Sequence, residues 1–447
     1  MKRHALISLF SALLIVVAGV SAINAQIITT IAGNGVYGYG GDGGLAISAQ
    51  FALPSGVAVD ASGNVYIADR NNSRVRKITA ATGIISTFAG TGVFGGALSL
   101  GGSALSCSLE YPYGVFASPT GDILITDFYR DMTFNVDHAT GNIYSRLGCG
   151  EQGNDGDGGP SNMARMMLPR NACMDPAGNT YIADGNWIRK VAAASGIAST
   201  VATMPCDGVF FDVTSAGDLY VAGNNMIKKI DLTTGAITTI AGTGVAGYTG
   251  NGGPAISATL SNPGNMFIDI HKNLYVCERG NNVVRQINLL TGGIASVAGT
   301  GSMGFSGDGG WAPYARLNDP EGVWVDNSGY IYIADAGNSR IRRIVPKSAS
   351  GGSSASPKDM HGFEAATASN TSTSIFPNPS NGIFTLTTTA DQLYSPVKVF
   401  NILGQIVYAT TVTDTKNVID LSSQPSGIYT LMMRSDSDTY TQKITKQ

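Results

Sequence analysis

Gly56-Val57-Ala58-Val59-Asp60, Asn64-Val65-Tyr66-Ile67-Ala68-Asp69, Arg74-Val75-Arg76-Lys77-Ile78 and Gly83-Ile84-Ile85-Ser86-Thr87-Phe88-Ala89-Gly90 form one four-segment unit that the chain repeats six times. The sixth copy runs from Gly322 through Tyr332-Ile333-Ala334-Asp335 to Arg340-Ile341-Arg342-Arg343-Ile344 and lacks the fourth segment. A matching segment, Ile28-Thr29-Thr30-Ile31-Ala32-Gly33, stands alone ahead of the first copy. A ring closed by its own first strand accounts for both observations. Isolated four-stranded units cannot bury both faces, whereas a closed ring can, and closure also removes the exposed sheet edge.

The glycine that ends the fourth segment falls at Gly33, Gly90, Gly148, Gly242 and Gly299, with Thr203 in the equivalent place. The repeat is about 40 residues long, with a Gly-rich insert of about 17 between most copies, the range of propeller blades. The insert reads Gly40-Gly41-Asp42-Gly43-Gly44 before copy one and Gly156-Asp157-Gly158-Gly159 before copy three. It reads Gly250-Asn251-Gly252-Gly253 before copy five and Gly307-Asp308-Gly309-Gly310 before copy six. Before copy two only Gly101-Gly102 remains, and copy four lacks the insert. Segments rich in Val, Ile, Tyr and Thr, separated by Gly and Asn turns, read as strands, and no long amphipathic helix is apparent.

These segments resemble the NHL-repeat β-propellers. The resemblance rests on P-x-G-V-x-V-D, G-N-x-Y-I-A-D and N-x-R-I-R-x-I, and covers roughly residues 27–346. Copy two departs from it at Thr126-Asp127-Phe128-Tyr129-Arg130, and copy four at Ala222-Gly223-Asn224-Asn225. The expected fold is all-β: a six-bladed NHL-type propeller over 26–346, closed by an N-terminal strand, followed by a small β-sandwich. The resemblance carries the fold and leaves the activity open, because one fold hosts many functions.

Lys2 and Arg3 precede an apolar run from Ala5 to Val20 and a small-residue end at Ile23-Asn24-Ala25. This pattern is that of a secretory signal peptide over 1–25. Residues 347–374, rich in Ser, Ala, Thr and Gly, read as a flexible linker. Beyond it, Phe376-Pro377-Asn378-Pro379, Gly382, Phe384, Val399-Phe400-Asn401-Ile402-Leu403-Gly404-Gln405, Asp420-Leu421-Ser422, Gly427-Ile428-Tyr429 and Lys443-Ile444-Thr445-Lys446 follow in order. This tail, 375–447, is similar to the C-terminal sorting domain of the type IX secretion system. The likeness implies the type IX machinery as partner and a secreted or outer-surface location in a Gram-negative bacterium; apart from the N-terminal run no segment approaches the length of a membrane span, so none is expected in the mature chain.

Net charge is −3 and only 13 % of residues are charged. With no basic stripe, nucleic-acid binding is disfavoured. Among the five cysteines, Cys173 and Cys277 lie in strands and read as packed thiols. Cys107, Cys149 and Cys206 lie beside connections, so Cys107–Cys149, Cys149–Cys206 and no disulfide all remain open. His138 and His271 sit in turns and read as solvated.

An up-down-up-down course in each blade places the corner after the second strand on the same face as the inserts. That face would carry Asp69, Asp127, Asp184, Glu278 and Asp335 as ligand-face candidates, with Asp42, Asp157 and Asp308 in the inserts as weaker metal candidates. The repeated acid also reads as a turn cap or a partner of Arg74 or Arg340. Calcium on the insert loops is the less favoured alternative to structural glycine turns. The function expected is a binding module for a glycan, a peptide or another surface protein. The alternative is a metal-dependent propeller hydrolase or lyase, lactonase-like, using carboxylates at the channel mouth. Unpaired acids clustered at the channel would favour the second, and arginine-paired acids the first.

Overall fold

The computed structural model describes residues 26–211, 217–345, 374–376, 380–387, 396–401, 406–414, 416–434 and 439–447. The signal-peptide reading of 1–25 and the linker from 347 to 373 lie outside the described residues. Contacts divide the chain into two compact units, one spanning 26–371 and one containing 372–447.

In the first unit every repeat forms a four-stranded antiparallel sheet in chain order. Blade one consists of Pro54–Val59, Val65–Asp69, Arg74–Ile78 and Ile85–Ala89. Blades two to five follow the same plan over 112–147, 169–203, 208–241 and 263–298. Blade six takes Pro320–Val325, Ile331–Asp335 and Arg340–Ile344 from the end of the repeat array and its outer strand, Ile28–Ala32, from the beginning. The register pairs Ile28 with Ile344 and Thr30 with Arg342. Closure is thus made by main-chain hydrogen bonds, and Ile28 is fully buried. The inner strands contact one another in cyclic order, the sixth returning to the first.

Alternation within each strand sends its apolar side chains between adjacent blades. Phe51, Val57, Ile67, Tyr332 and Ile341 pack together where blade six meets blade one. Each such residue contributes about 1.5–3 kcal/mol on burial. The glycine of P-x-G is fixed by close approach. A Cβ on Gly56 would lie 2.8 Å from Val115 N, and one on Gly322 would lie 2.5 Å from Ser55 O. The V-D…N-x-Y signature locks the first hairpin of a blade. Asp60 accepts from Ser62 N and Asn64 N at 2.9 Å, and Tyr66 Oη donates to it at 3.1 Å. Asp175 with Tyr181, Asp269 with Tyr275 and Asp326 with Tyr332 repeat the lock.

The second unit holds a three-stranded sheet (Ser374–Phe376, Ile383–Thr387, Lys416–Asp420) and a four-stranded sheet (Ile406–Thr411, Pro396–Phe400, Gly427–Arg434, Thr439–Lys446). Phe384, Leu386, Val399 and Leu431 belong to its one apolar core. Residues 377–379 and 402–405 of the sorting motif lie outside the described residues. Among the described residues no helix is long and apolar enough to cross a membrane.

Candidate functional site

The five repeated acids Asp69, Asp127, Asp184, Glu278 and Asp335 are fully buried. Asp69 accepts from Ala52 N at 2.8 Å, Asn72 Nδ2 at 2.8 Å and Arg76 at 3.2 Å. Asp335 repeats this with Asn318 N, Asn338 and Arg342. Glu278 takes Ser261 N and Arg285, and Asp184 has Arg189 at 3.7 Å. The arginine partner is therefore the second of the R-x-R pair. Arg74 and Arg340, proposed as partners from the sequence, turn outward instead. Arg74 donates to the carbonyls of Asn72 and Thr91 and lies 4.0 Å over the Tyr39 ring. Arg340 lies 3.8 Å over Phe305. The residue two positions further along the same strand is the one enclosed beneath the insert, so it meets the buried acid.

The insert aspartates complete the same network. Arg76 Nε donates to Asp42 at 2.9 Å, Arg342 Nε to Asp308 at 3.1 Å, and Arg189 lies 3.1 Å from Asp157. Asp42 also accepts from Thr87 N at 3.0 Å and Tyr39 Oη at 2.8 Å. Corner and insert thus converge on one face of their blade, with a buried guanidinium clamped between two carboxylates. Copy two has Phe134 in place of this arginine, and its Asp127 takes the backbone N–H groups of Glu110 and Tyr111. Burial raises the carboxyl pKa to about 6 for Asp69, Asp127 and Asp335, and to about 7 for Asp184. Among the described residues no group of three His, Cys, Asp or Glu is placed to hold a metal.

The accessible cavity lies elsewhere, at the channel mouth. It has a volume of about 270 Å³, and its lining includes Tyr113, Arg170, Asp207, Gly264, Arg279 and Glu321. Five of these six occupy one repeat position, the x of P-x-G in copies two to six, with Pro replaced by Cys206 in copy four and the glycine by Asn171 and Asn265 in copies three and five. Ser55 holds that place in copy one. Arg279 comes from the residue after the corner acid, where copy one has Arg70. In blades two to six the same backbone position therefore faces the cup with a different residue in each.

Glu321 is fully buried and lies 2.6 Å from Arg70 and 3.2 Å from Arg279. Arg279 continues to Asp319 at 2.9 Å and, across the ring, to Tyr113 Oη at 3.1 Å. Arg170 meets Asp207 at 2.9 Å, with side chains 31 % and 37 % exposed. Burial raises the pKa of Glu321 despite its two arginines. On the axis, four aromatic side chains from one repeat position, held by Ala58 in copy one and Cys173 in copy three, meet. Phe116–Trp324, Phe116–Phe210, Phe210–Phe267 and Phe267–Trp324 have ring centroids 5.5, 6.3, 4.8 and 4.7 Å apart. They join blades two, four, five and six across the channel. The signal that would have found the cup is the failure of this one position to repeat.

None of the five cysteines is in a disulfide; Cys107 is buried and Cys149 exposed. The Cys107–Cys149 and Cys149–Cys206 pairings are therefore not formed. Cys107 packs inward within the blade-two core, and Cys206 is buried with its thiol on the carbonyls of Gly185 and Trp187. Cys173 and Cys277 are buried as expected. His138 lies half exposed against Asp122.

Residues 51–78 and 317–344 match the NHL repeat, and residues 374–447 match the secretion system C-terminal sorting domain. The chain is an all-β, NHL-repeat propeller protein carrying a type IX sorting domain. That domain marks it for export, to the cell surface or the medium. Human teneurin-4 is 36 % identical over 102 residues, 20 % of this chain, which spans only 4 % of teneurin-4. Two solved structures share the fold at 16 % identity. One is a protein of unknown function from Bacteroides thetaiotaomicron (TM-score 0.57, covering 72 % of this chain and 76 % of that one). The other is an auxiliary nutrient binding protein from Bacteroides ovatus (TM-score 0.54, covering 73 % and 78 %).

Proposed function

We propose that this chain is a non-catalytic binding propeller, exported by its sorting domain, that takes its ligand in the cup at the channel mouth. The observation that carries this reading is the pairing of every acid in the cup. Glu321 and Asp319 face Arg279, Glu321 also faces Arg70, and Asp207 faces Arg170. Carboxylates whose charge is already matched by guanidinium groups attract a metal cation weakly, although Glu321 Oε1, 3.2 Å from Arg279, is left without a hydrogen bond. Four of the five repeated acids are paired with arginine in the same way, and Asp127 is held by backbone N–H groups. The hydrolase or lyase alternative needs free carboxylates at the mouth and is therefore disfavoured.

Gly264 offers a direct test. It lines the cup, and a Cβ there would meet only Arg279 Cδ, at 4.0 Å. Gly264→Phe should fill the cup while leaving the fold intact. A glycan and peptide array is probed with the parent and with the variant. A ligand retained by the parent and lost by Gly264→Phe supports the cup as the site. Equal retention by both moves the site elsewhere, and turnover of the retained ligand sinks the non-catalytic reading.

A further inference from the structure

Blade two is the copy that departs most from the repeat on the cup side. Its corner has Phe128-Tyr129 where blade one has Arg70-Asn71, and its insert has lost the aspartate. The structure turns that departure into a continuous row of aromatic rings leading away from the cup. Tyr113, in the cup wall, lies 6.0 Å from Phe128, Phe128 lies 5.2 Å from Tyr129, and Tyr129 lies 6.1 Å from Phe94. Tyr111 packs behind them, 4.8 Å from Tyr129. Phe94 is 63 % exposed and Tyr129 50 % exposed, so the outer end of the row presents bare aromatic surface to solvent. At its inner end Arg70 and Arg170 stack on the rings, at 5.2 and 5.8 Å from the Tyr113 centroid.

We propose that the cup and this aromatic row together bind a neutral oligosaccharide, with a terminal sugar in the cup and the following units stacked outward on Phe128, Tyr129 and Phe94. This inference rests on the cup as the binding site and adds the class of ligand. Charge balance is the first argument. Three arginines, Arg70, Arg170 and Arg279, are matched by Asp207, Asp319 and Glu321, so the cup offers no net field to an ionic ligand. It offers instead an alternation of planar donors and acceptors, which suits hydroxyl groups that both donate and accept. Shape is the second argument. A pyranose has an apolar C–H face that lies flat on an aromatic ring and a rim of hydroxyls that reach for polar groups. The ring centroids are 6.0, 5.2 and 6.1 Å apart, and the planes turn by 32°, 75° and 79° from one ring to the next, so successive sugar units would meet ring faces and ring edges in turn. Exposed rings in a row otherwise add surface that water solvates poorly.

The test uses the full exported chain on an array of neutral and acidic glycans and peptides, followed by calorimetry with the mono- to tetrasaccharides of a retained neutral glycan. Phe94→Ala and Tyr129→Ala are at exposed positions, and melting curves check that each still folds. Each should weaken the tri- and tetrasaccharide about tenfold and leave the monosaccharide unchanged. Asp207→Asn should weaken all of them. If the row variants bind like the parent while Asp207→Asn loses binding, the row is overturned and the cup stands. If neither changes binding, both are overturned. Retention of peptides or acidic polymers with no neutral glycan retained also overturns the proposal.

Discussion

Arg279 and Tyr113 stand on blades five and two, on opposite sides of the ring, and Arg279 Nη1 donates to Tyr113 Oη at 3.1 Å across the channel mouth. This bond joins non-adjacent blades, as the Phe116–Trp324 and Phe116–Phe210 ring contacts do, and it spans the cup. Tyr113→Phe removes the acceptor but keeps the ring under Arg70 and Arg170. Arg279 keeps Asp319 and Glu321. The expected loss is about 0.5–1.5 kcal/mol in denaturant unfolding, with a clear weakening of any ligand held in the cup. A variant with parental affinity would show that the bond does not shape the site.

Glu321 holds two guanidinium groups at once, and one of them, Arg70, is itself buried. Glu321→Ala leaves both without their shared partner. Breaking a buried pair in this way costs about 3–5 kcal/mol. Asp207→Asn, on the half-exposed Arg170 pair, should cost less than about 1 kcal/mol, because solvent replaces most of that interaction. Urea unfolding of the two variants side by side checks the ordering, and equal losses would contradict it.

How far the sequence reaches is visible in these residues. Asp69 and Asp42 recur at fixed spacing, so their convergence on one face was legible. The choice of Arg76 over Arg74 was not. Both lie on one face of the same strand, and only the way the insert folds over that strand decides which is enclosed. The cup was hidden for a different reason. A repeat reading ranks positions by recurrence, whereas Tyr113, Arg170, Asp207, Gly264 and Glu321 share a backbone position and no chemistry. Their meeting depends on closure of the ring, which brings residues as far apart as Arg70 and Glu321 to 2.6 Å.

Closure itself can be tested. Ile28–Ala32 supplies the outer strand of blade six, with Ile28 and Ala32 fully buried. Deleting residues 27–32 strips that strand and leaves Arg340–Ile344 as an open edge. Loss of the buried side chains of Ile28 and Ile31 alone amounts to about 3–6 kcal/mol, and the bare edge invites pairing between molecules. Size-exclusion chromatography and light scattering should show aggregation, with a lowered melting temperature in whatever remains monomeric. A monomeric deletion variant with parental melting would mean that closure comes from elsewhere.

The tail is a separate compact unit with its own core of Phe384, Leu386, Val399 and Leu431. A chain ending at residue 373 should therefore keep a folded ring and lose its passage across the outer membrane. Cell fractionation would find it in the periplasm. Undiminished amounts at the surface or in the medium would show that 374–447 is not needed for export.

The buried acids give the ring an unusual pH dependence. The folded pKa is about 6 for Asp69, Asp127 and Asp335, and about 7 for Asp184, against 3.8 for a free aspartate. Burial is the main cause at Asp184, offset by the Met167 N–H and by Arg189 at 3.7 Å and reinforced by the charge of Asp131. Between pH 4 and 7 the folded ring thus holds protons that the unfolded chain has released. The stability from these groups is fully present below about pH 4 and is lost as pH rises through 6 to 7. Asp42 and Asp122 are shifted downward, and their contribution disappears only below the ordinary carboxylate range. The melting temperature should therefore be at least as high at pH 5 as at pH 7.5 and drop only below about pH 4. Asp184→Asn keeps the acceptor for Met167 N and removes the highest of the four titrations, so it should flatten the slope between about pH 4 and 7. Melting curves on the parent and this variant from pH 3.5 to 8 decide the matter. A steady fall from pH 7.5 to 5, or an unchanged slope in the variant, would show that these acids stay ionised and that their arginines outweigh the burial.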